Sequence, residues 1–494
     1  MGDFILALDE GTSSARAVLF DREMERVGVA QQPIESLFPN PGWVEQDAEE
    51  IWRIQSQVVL DVLATTGKSG SNIHAIGITN QRETTLIWDR STAQPIAPAI
   101  VWQCRRTADF CEELKRSPFA NRIQKLTGLV VDAYFSASKI AWILDHVPDA
   151  QARAEAGDLL FGTIDSWLIY KLTGGKTHVI DRTNASRTML MDLALGQWST
   201  ELLEHFQIPT SLLPEIVDSS GICGYTNGDI LGVEIPIAGI AGDQQAALVG
   251  QGCLSAGQAK NTYGTGCFLL MHTGTDVPTS QNQLLATAAA GIADCKAPFA
   301  LEGSVFDAGT VVQWMRDELG LLQSAEESEK QANSVPDTNG VRVLPAFSGL
   351  GAPHWRPNVQ GAITGITRNV NKAHIIRAGL ESIAFQTADL VEAMQADGNC
   401  ELQELNVDGG ACHNDFLLQF QADIIGIPVN RPTSIETTVR GAALLAGLAT
   451  DMYAEVESLK VSRVFEPSMS ADERIQRRED WTSFVQSVIQ LSED

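Results

Sequence analysis

The sequence lacks the residue patterns of several common protein classes. Eight cysteines are scattered without a Cys-x-x-Cys pair, so neither a zinc site nor a disulfide framework is indicated. The eight histidines show no His-Glu-x-x-His or other metal-ligand spacing. No apolar run approaches the ~20 residues of a transmembrane helix, and MGDFILALDE has no basic leader with a cleavage site. We therefore expect a cytoplasmic protein with reduced thiols and no stable membrane association. The cysteines are Cys104, Cys111, Cys223, Cys253, Cys267, Cys295, Cys400 and Cys412.

Positive charge is also scarce. The chain has 35 Lys and Arg against 62 Asp and Glu, a net charge of −27, which opposes nonspecific binding to nucleic acid or to anionic membranes. An anionic ligand would therefore need a local cluster of hydrogen-bond donors and positive charges.

A chain of 494 residues exceeds what one hydrophobic core usually supports, so two large domains are expected.

Continuous apolar runs bounded by Gly, Asp or Asn recur along the chain: FILALD, HAIGITN, LLFGTID, IPIAGIAGD and LQELNVDGG. Such runs are typical of strands buried on both faces. Amphipathic stretches at 47–65, 373–395 and 413–427 predict helices between them. The pattern predicts an α/β architecture.

One weak repeat stands out. FILALDEGTSSARAVLF near the start resembles IPIAGIAGDQQAALVGQG at 235–252, since each is an apolar strand with Asp at its end and a turn of small residues. Chance similarity of two buried strands explains this equally well. A true repeat would divide the chain near residue 250, into domains 1–250 and 251–494.

Three stretches combine glycines and hydroxyls as phosphate-binding loops do. In the first, Asp9 ends a strand and GTSS turns back into a second strand that carries Arg16. The second is NTYGTGC at 261–267, and the third, DGGACHND at 408–415, leads from a strand into a helix. Each stretch alone is weak evidence of phosphate binding, because such turns are common. GGKT at 174–177 is not a P-loop, because Tyr170 stands where that loop needs Gly.

Charged side chains at predicted strand ends suggest further chemistry. A phosphoryl-transfer enzyme needs one acid near Mg²⁺ and one to accept the proton of the attacking hydroxyl, and Asp9 and Asp243 supply two strand-end acids. Helix capping is the alternative for either one. In GITNQRETT, the guanidinium of Arg82 is a hydrogen-bond donor beside the carboxylate acceptor of Glu83, and this combination suits a small polyol. The alternative is a surface ion pair between the two residues, which is common in proteins.

A set of longer motifs is specific: LALDEGTSSARA, GWVEQD, ITNQRETT, AIVWQCRRT, LFGTIDSWLIYKLTGG, TNASRTML, GIAGDQQAAL, KNTYGTGCFLLM, LPAFSGLGAPHW and DGGACHNDFLLQFQADI. From residue 3 to about 450, the chain resembles the FGGY carbohydrate kinases, in particular the bacterial glycerol kinases, of the actin, hexokinase and heat-shock ATPase superfamily. The resemblance implies two actin-like (ribonuclease H-like) ATPase domains, each a mixed sheet flanked by helices, with a cleft between them. The resemblance implies that the first domain holds the glycerol site, the phosphate hairpin and the magnesium ion, and that the second domain binds the nucleotide.

The implied reaction is Mg²⁺-dependent transfer of the ATP γ-phosphoryl group to glycerol, the first step of glycerol catabolism, by a homodimer or homotetramer. Asp243 matches the catalytic base, and Asp9 and Asp243 match positions at the magnesium. The positions that match glycerol contacts are Arg82, Glu83, Tyr134, Asp243 and Gln244, with Trp102 and Phe268 as an apolar wall. Those that match nucleotide contacts are Thr12, Ser13, Ser14, Arg16, Thr265, Gly309, Gln313, Gly410 and Asn414.

The chain departs from the family pattern at a few positions. Glu234 stands where members inhibited by fructose 1,6-bisphosphate carry Arg, so we expect that inhibition to be weak or absent. Ala133 replaces the usual Pro before Tyr134, and Gly379 occupies a helical position usually filled by a better helix former. The tail beyond about 455 matches poorly, so binding of a phosphotransferase-system protein is not carried over.

Two alternatives remain open. One is another FGGY sugar or polyol kinase, although xylulose kinases have GQMHG where this chain has NQRET. The other is an ATP-driven protein of the chaperone or actin type, which shares the phosphate loops but lacks a pocket for a small molecule. Arg82, Glu83, Tyr134 and Trp102 together disfavour the second.

Overall fold

The computed structural model describes residues 2–292, 297–356, 358–456 and 459–493, and Cys295 lies outside these ranges. The strands are β1 (Phe4–Glu10), β2 (Ser14–Phe20), β3 (Arg26–Pro33), β4 (Glu45–Gln46), β5 (Ile73–Asn80), β6 (Leu86–Asp89), β7 (Ala99–Ile100), β8 (Leu159–Gly162), β9 (Val179–Asp181), β10 (Met191–Asp192), β11 (Gln197–Trp198), β12 (Glu215–Val217), β13 (Ser220–Tyr225), β14 (Pro236–Gly242), β15 (Ala259–Tyr263), β16 (Cys267–Gly274), β17 (Leu285–Ala288), β18 (Phe299–Val305), β19 (Arg342–Leu344), β20 (Ala362–Thr364), β21 (Leu405–Asp408), β22 (Val429–Pro432) and β23 (Val461–Phe465).

The α-helices are α1 (Ala48–Thr66), α2 (Ala108–Lys115), α3 (Phe119–Thr127), α4 (Ser136–His146), α5 (Ala150–Glu155), α6 (Ile164–Leu172), α7 (Arg182–Ala185), α8 (Thr200–Phe206), α9 (Asp243–Gly250), α10 (Gly309–Asp317), α11 (Glu327–Asn333), α12 (Lys372–Gly398), α13 (Asp415–Ile425), α14 (Thr437–Ala449) and α15 (Ala471–Glu493). Short 3-10 turns lie at 70–72, 210–212 and 410–413. Among the described residues, no helix is both long enough and apolar enough to cross a bilayer.

The first large sheet has the strand order β13-β14-β5-β1-β2-β3. Strands β1, β5 and β14 run parallel, whereas β2 returns antiparallel to β1 with Asp9 opposite Arg16. The interior residues of β1, β5 and β14 are buried, as their continuous apolar sequences predict. Because the three strands are parallel, their carboxyl ends meet at one edge of the sheet.

The second large sheet repeats this arrangement, in the order β17-β18-β16-β15-β21-β22-β23. Strand β15 is parallel to β21, β21 is parallel to β22, and β16 returns antiparallel to β15. Each sheet is therefore a mixed sheet with a hairpin beside its central parallel strands, and the predicted α/β class with two mixed sheets is confirmed. We call residues up to 250 the first half of the chain and those from 251 the second half.

The apparent repeat at 235–252 is not the structural one. Strand β14 leads directly into helix α9, so it does not form the hairpin that β1 and β2 form. By sheet order and strand direction, the counterpart of β1–β2 is the hairpin β15–β16. The similarity at 235–252 arises because both segments are buried strands that end at the same sheet edge.

The segment LLFGTID also differs from its prediction. Strand β8 covers only its first four residues, and it pairs antiparallel with β6 outside both large sheets. Thr163 then precedes helix α6, which begins at Ile164. The strand is buried, but by packing against neighbouring elements of the first half rather than within a parallel sheet.

The three predicted helices are present with small shifts at their ends, as α1, α12 and α13. The α1 helix begins after Asp47, whose carboxylate accepts hydrogen bonds from the amides of Glu49 and Glu50, and ends at Gly67 with φ of 66°. It packs against β2 and β3, so one face of the first sheet is covered by a helix of the same half.

Helix α14 covers the first sheet although it belongs to the second half of the chain. It contacts β1, β5 and β14, and it packs on α9. Glycines allow this close approach, because a Cβ at Gly77 would lie 2.1 Å from the carbonyl oxygen of Ala442, and one at Gly441 would lie 1.8 Å from that of Ala246. The two halves therefore meet backbone to backbone through α9 and α14.

Candidate active site

Polar side chains collect at the edge where β1, β5 and β14 end. Asp9 lies near the end of β1, Arg82 and Glu83 follow β5, and Asp243 is the first residue after β14. The parallel register of these strands brings the four residues to one edge, as strand-end placement in α/β proteins predicts.

The turn between β1 and β2 is the predicted phosphate hairpin in outline. The amide of Gly11 donates to the carbonyl of Ser14 over 3.0 Å, which closes the turn. The Thr12 hydroxyl accepts a 2.9 Å hydrogen bond from Nε1 of Trp102, and Ser14 Oγ accepts one of 2.9 Å from Gln31. Ser13 is the exposed member of the three hydroxyl residues.

Arg16 connects the hairpin to acids on both halves of the chain. Its guanidinium donates to Asp9 and, over 2.6 Å, to Oε2 of Glu436, the residue before α14. Burial raises the pKa of Asp9, Arg16 opposes that change, and the charge of Asp243 adds to it. The negative charge of Asp243 therefore disfavours ionisation of Asp9.

Arg82 is almost completely buried beside Asp243. Its Nε lies 3.1 Å from Oδ1 of Asp243, and its Nη1 donates to Gln245 over 3.1 Å. The side chain runs along the backbone of Gly242, where a Cβ would lie only 2.6 Å from the Arg82 Cγ and Cδ atoms. Gly242 is therefore required for this placement of the guanidinium.

Glu83 has a strained backbone that its neighbours hold in place. Its φ of 61° lies in the left-handed region, which costs a non-glycine residue about 1 kcal/mol. Its carbonyl accepts hydrogen bonds from Thr85 (3.0 Å), Ser136 (3.1 Å) and the buried Lys139 (3.4 Å). Burial lowers the pKa of Lys139 to about 8. This conformation fixes the direction of the Glu83 carboxylate.

Arg187 and Glu302 complete a buried ion network that the sequence did not predict. Nε of Arg187 donates to Glu83 over 2.6 Å, and its Nη2 donates to Glu302 over 3.0 Å. Glu302 also accepts from both terminal nitrogens of Arg82, over 2.5 and 3.1 Å. Two features of the sequence could have pointed to this network: a single carboxylate in the apolar strand FALEGSV, and an arginine in the motif TNASRTML.

The aromatic residues lie on opposite halves. The rings of Trp102 and Tyr134 meet edge to face, with centroids 5.5 Å apart, and both side chains are half-buried. Phe268 lies on β16 of the second half and is also half-buried, and the described residues include no ring contact between it and Trp102. The structure therefore joins the predicted wall residue Trp102 to the predicted glycerol contact Tyr134, whereas the second predicted wall residue, Phe268, lies on the other half of the chain.

Gln244 lies beside Asp243 and is fixed from the second half. Its Nε2 donates to Oδ2 of Asp243 over 3.3 Å, and its Oε1 accepts from the buried Lys260, whose Nζ also donates to Thr262 over 2.8 Å. Burial lowers the pKa of Lys260, while the nearby charges of Asp408 and Asp243 oppose that change. Lys260 was also missed from sequence, because a lysine in a strand usually reaches solvent.

The predicted nucleotide residues of the second half lie in two adjoining loops. Thr265 is in the turn between β15 and β16, and its carbonyl accepts the amide of Ala308 over 3.0 Å. Gly309 begins α10 beside this turn, with its amide 3.1 Å from the carbonyl of Gly264. Gln313 is exposed one turn further along α10.

Gly410 and Asn414 lie where β21 leads into α13. Gly410 begins a 3-10 turn, and Asn414 is the N-cap of α13, with Oδ1 accepting the Leu417 amide over 2.9 Å. Nδ2 of Asn414 donates to Ser328 over 3.1 Å. Since β21 is parallel to β15, this helix start lies next to the Thr265 turn and presents amides to the same edge.

The donor set fits a magnesium ion that is carried largely by phosphate. Among the described residues, no cluster of three or more His, Cys, Asp or Glu side chains has metal-binding geometry. Asp9 and Asp243 lie at the same edge of the first sheet, which suits Mg²⁺ bound through one or two carboxylates, water and substrate phosphates.

Comparison with known proteins agrees with this geometry. Residues 4–250 match the N-terminal domain, and residues 259–450 the C-terminal domain, of the FGGY family of carbohydrate kinases. The chain is 55% identical over 487 residues (98% of this chain, 97% of the relative) to a protein named glycerol kinase from Carboxydothermus hydrogenoformans. It is 55% identical over 493 residues (98% and 99%) to a glycerol kinase from a Janthinobacterium species.

A solved structure supports the same assignment. The crystal structure of Plasmodium falciparum glycerol kinase with ADP superposes with a TM-score of 0.93 at 35% identity, covering 98% of each chain. Sequence identity, full-length coverage and fold therefore point to one family. The chain belongs to the FGGY family of carbohydrate kinases.

Proposed function

We propose that this chain transfers the γ-phosphoryl group of ATP to a terminal hydroxyl of glycerol, giving sn-glycerol 3-phosphate and ADP. The observation that carries the proposal is the convergence of Arg82, Glu83 and Asp243 at the sheet edge that also carries the phosphate hairpin. A donor fork and a fixed carboxylate suit a small polyol, whose hydroxyls both donate and accept. The relatives at 52–55% identity that are named glycerol kinase support the same substrate.

Asp243 is the proposed general base. Its side chain is one-third exposed, so it is accessible to a hydroxyl, and Nε of Arg82 at 3.1 Å fixes its orientation. Proton removal as the hydroxyl attacks is the one acid-base step that such a transfer needs. Glu83, Tyr134 and Gln244 are proposed to hold the remaining hydroxyls, with Trp102 and Phe268 against the carbons.

The phosphates are proposed to lie between the two hairpins. The Thr12, Ser13 and Ser14 turn and Arg16 approach from the first half, and Thr265, Gly309, Gln313, Gly410 and Asn414 line the nucleotide from the second. Asp9 and Asp243 would hold Mg²⁺, which would supply charge neutralisation to the transferring phosphoryl group. The protein contributes mainly positioning and charge stabilisation.

Water competes with glycerol as a nucleophile, so the cleft must exclude it during transfer. We infer that the two halves close over the substrates, with the glycine contacts of α9 and α14 at the point where they meet.

A coupled assay of ADP release tests the substrate. Glycerol should stimulate turnover strongly, while xylulose, gluconate and erythritol should give rates at least about tenfold lower in kcat/KM. A preference for one of those compounds would assign the chain to another FGGY sugar or polyol kinase. Turnover that is fast without any acceptor would support an ATP-driven protein of the chaperone or actin type.

The proposal also covers the domain division, the cellular location and the oligomeric state. We propose a domain division near residue 250, a cytoplasmic location and a homodimer or homotetramer. The family models that end at 250 and resume at 259 support the division. Light scattering of the purified chain, whose mass is 53.4 kDa, would test the oligomeric state directly.

A further inference from the structure

Glu302 is the one charged residue of strand β18, and it is fully buried. It belongs to the second half of the chain, whereas both of its partners, Arg82 and Arg187, belong to the first. Each of its carboxylate oxygens accepts from Arg82, and Oε1 also accepts from Arg187. A single carboxylate therefore anchors two guanidiniums across the interface between the halves.

The charges around Glu302 compensate one another. Burial would raise the pKa of Glu302, but Arg187 and Arg82 overcome this effect and lower the pKa to about 2. The carboxylate is therefore ionised at neutral pH although it is fully buried. Each of the two buried acids, Glu83 and Glu302, has an arginine partner, as buried charges require, and the partly exposed Asp243 lies beside Arg82 as a third acid.

The network ends at the side chains that face the proposed substrate. Glu302 holds Arg82 directly, and through Arg187 it holds Oε1 of Glu83. Arg82 in turn lies 3.1 Å from Asp243. The terminal nitrogens of Arg82 point to Glu302, so this contact sets the rotation of the guanidinium plane and the direction in which Nε faces.

We propose that Glu302 is a positioning residue that sets the specificity of the polyol site. It fixes the donor fork of Arg82 and, through Arg187, the acceptor of Glu83, at the spacing that the hydroxyls of glycerol require. The inference rests on the proposed function. A purely structural tie between the halves is the competing explanation, because the same contacts also join β18 to the first half.

The two explanations differ in how a substitution that removes the charge of Glu302 changes the KM for glycerol and the KM for ATP. Glu302→Gln keeps the shape of the side chain but releases both arginines from a full negative charge. Positioning predicts a glycerol KM raised at least about tenfold with an ATP KM changed by less than about twofold. It also predicts that the kcat/KM ratio of glycerol to propane-1,2-diol, which lacks one hydroxyl, falls at least about fivefold.

Controls separate the site from the interface. Glu25→Gln breaks an exposed pair with Lys460, which also joins the two halves but lies outside the cleft residues, and it should leave all these values unchanged. Circular dichroism and thermal melting of each variant establish that it is folded. If Glu302→Gln does not fold, Glu302→Asp, which keeps the charge on a shorter side chain, must give the same glycerol-specific change.

The possible results distinguish a failure of the proposed function from a failure of the role inferred for Glu302. A wild-type protein without glycerol-dependent ADP release would overturn the proposed function and this inference with it. A wild-type protein that uses glycerol, with a Glu302→Gln variant whose two KM values rise together and whose diol ratio is unchanged, would overturn the inference alone. A Glu302→Asp variant that also fails to fold would assign Glu302 to structure and overturn it as well.

Discussion

Arg16 and Glu436 form an ion pair between the two halves, with 2.6 Å between Nη1 of the arginine and Oε2 of the glutamate. Arg16 lies on the second strand of the phosphate hairpin, and Glu436 is the residue before α14. The same guanidinium donates to Asp9. Two carboxylates therefore already engage the arginine that we propose binds nucleotide phosphates, and we expect them to compete with those phosphates.

Removing the second carboxylate should favour nucleotide. We predict that Glu436→Gln lowers the KM for ATP by up to about fivefold at low ionic strength, since a partly exposed ion pair is worth roughly 0–1 kcal/mol. Steady-state kinetics at low and high salt measure the effect, which should shrink as salt is added. An ATP KM that is unchanged or higher at low salt would contradict the competition.

A buried acid in the first turn of α6 predicts a pH dependence of stability. Burial and the nearby charge of Asp181 raise the pKa of Asp165 from 3.8 to about 7. Because the folded pKa lies above the unfolded one, Asp165 contributes stability below about pH 4 that is lost as the pH rises through 7. Asp165→Asn should therefore gain stability relative to wild type over this window, by about 4 kcal/mol at most.

Urea unfolding at several values between pH 4.5 and 8 measures this gain. Asp218→Asn, at a side chain that is 71% exposed, is the control and should follow the wild-type curve. Parallel curves for Asp165→Asn and wild type would show that Asp165 has an ordinary pKa in the folded protein.

Regulation by fructose 1,6-bisphosphate should be weak or absent. Glu234 is exposed on the segment between β13 and β14, where a negative charge repels a bisphosphate. Adding millimolar fructose 1,6-bisphosphate to the ADP-release assay should leave the rate nearly unchanged. Strong inhibition at that concentration would contradict this prediction and would mean that a basic group elsewhere in the chain binds the effector.

Local signals were sufficient for the parts of the site that the chain builds from neighbouring residues. The hairpin of Thr12 to Arg16 was predictable because its two strands and its turn are contiguous, with Asp9 opposite Arg16. The pair of Arg82 and Glu83 was predictable for the same reason, since both follow one buried strand.

Contacts between distant parts of the chain were not predictable from one sequence. Arg82 and Glu302 are 220 positions apart, and Arg16 and Glu436 are 420 apart. No periodicity relates such pairs, because the sheet order and the packing of α14 on the first sheet bring them together. The correspondence between the hairpins β15–β16 and β1–β2 is likewise not evident from sequence, since the two share strand directions rather than residues.

The most direct test of the account is ADP release, with and without glycerol, from the wild type and from Asp243→Asn. The substitution keeps the size of the side chain at the start of α9 and removes only the carboxylate. We predict glycerol-dependent turnover in the wild type and a loss of kcat of about 10²–10⁴-fold in the variant, with ATP binding retained. A variant that keeps most of the glycerol-dependent rate would contradict the assignment of Asp243 as the base.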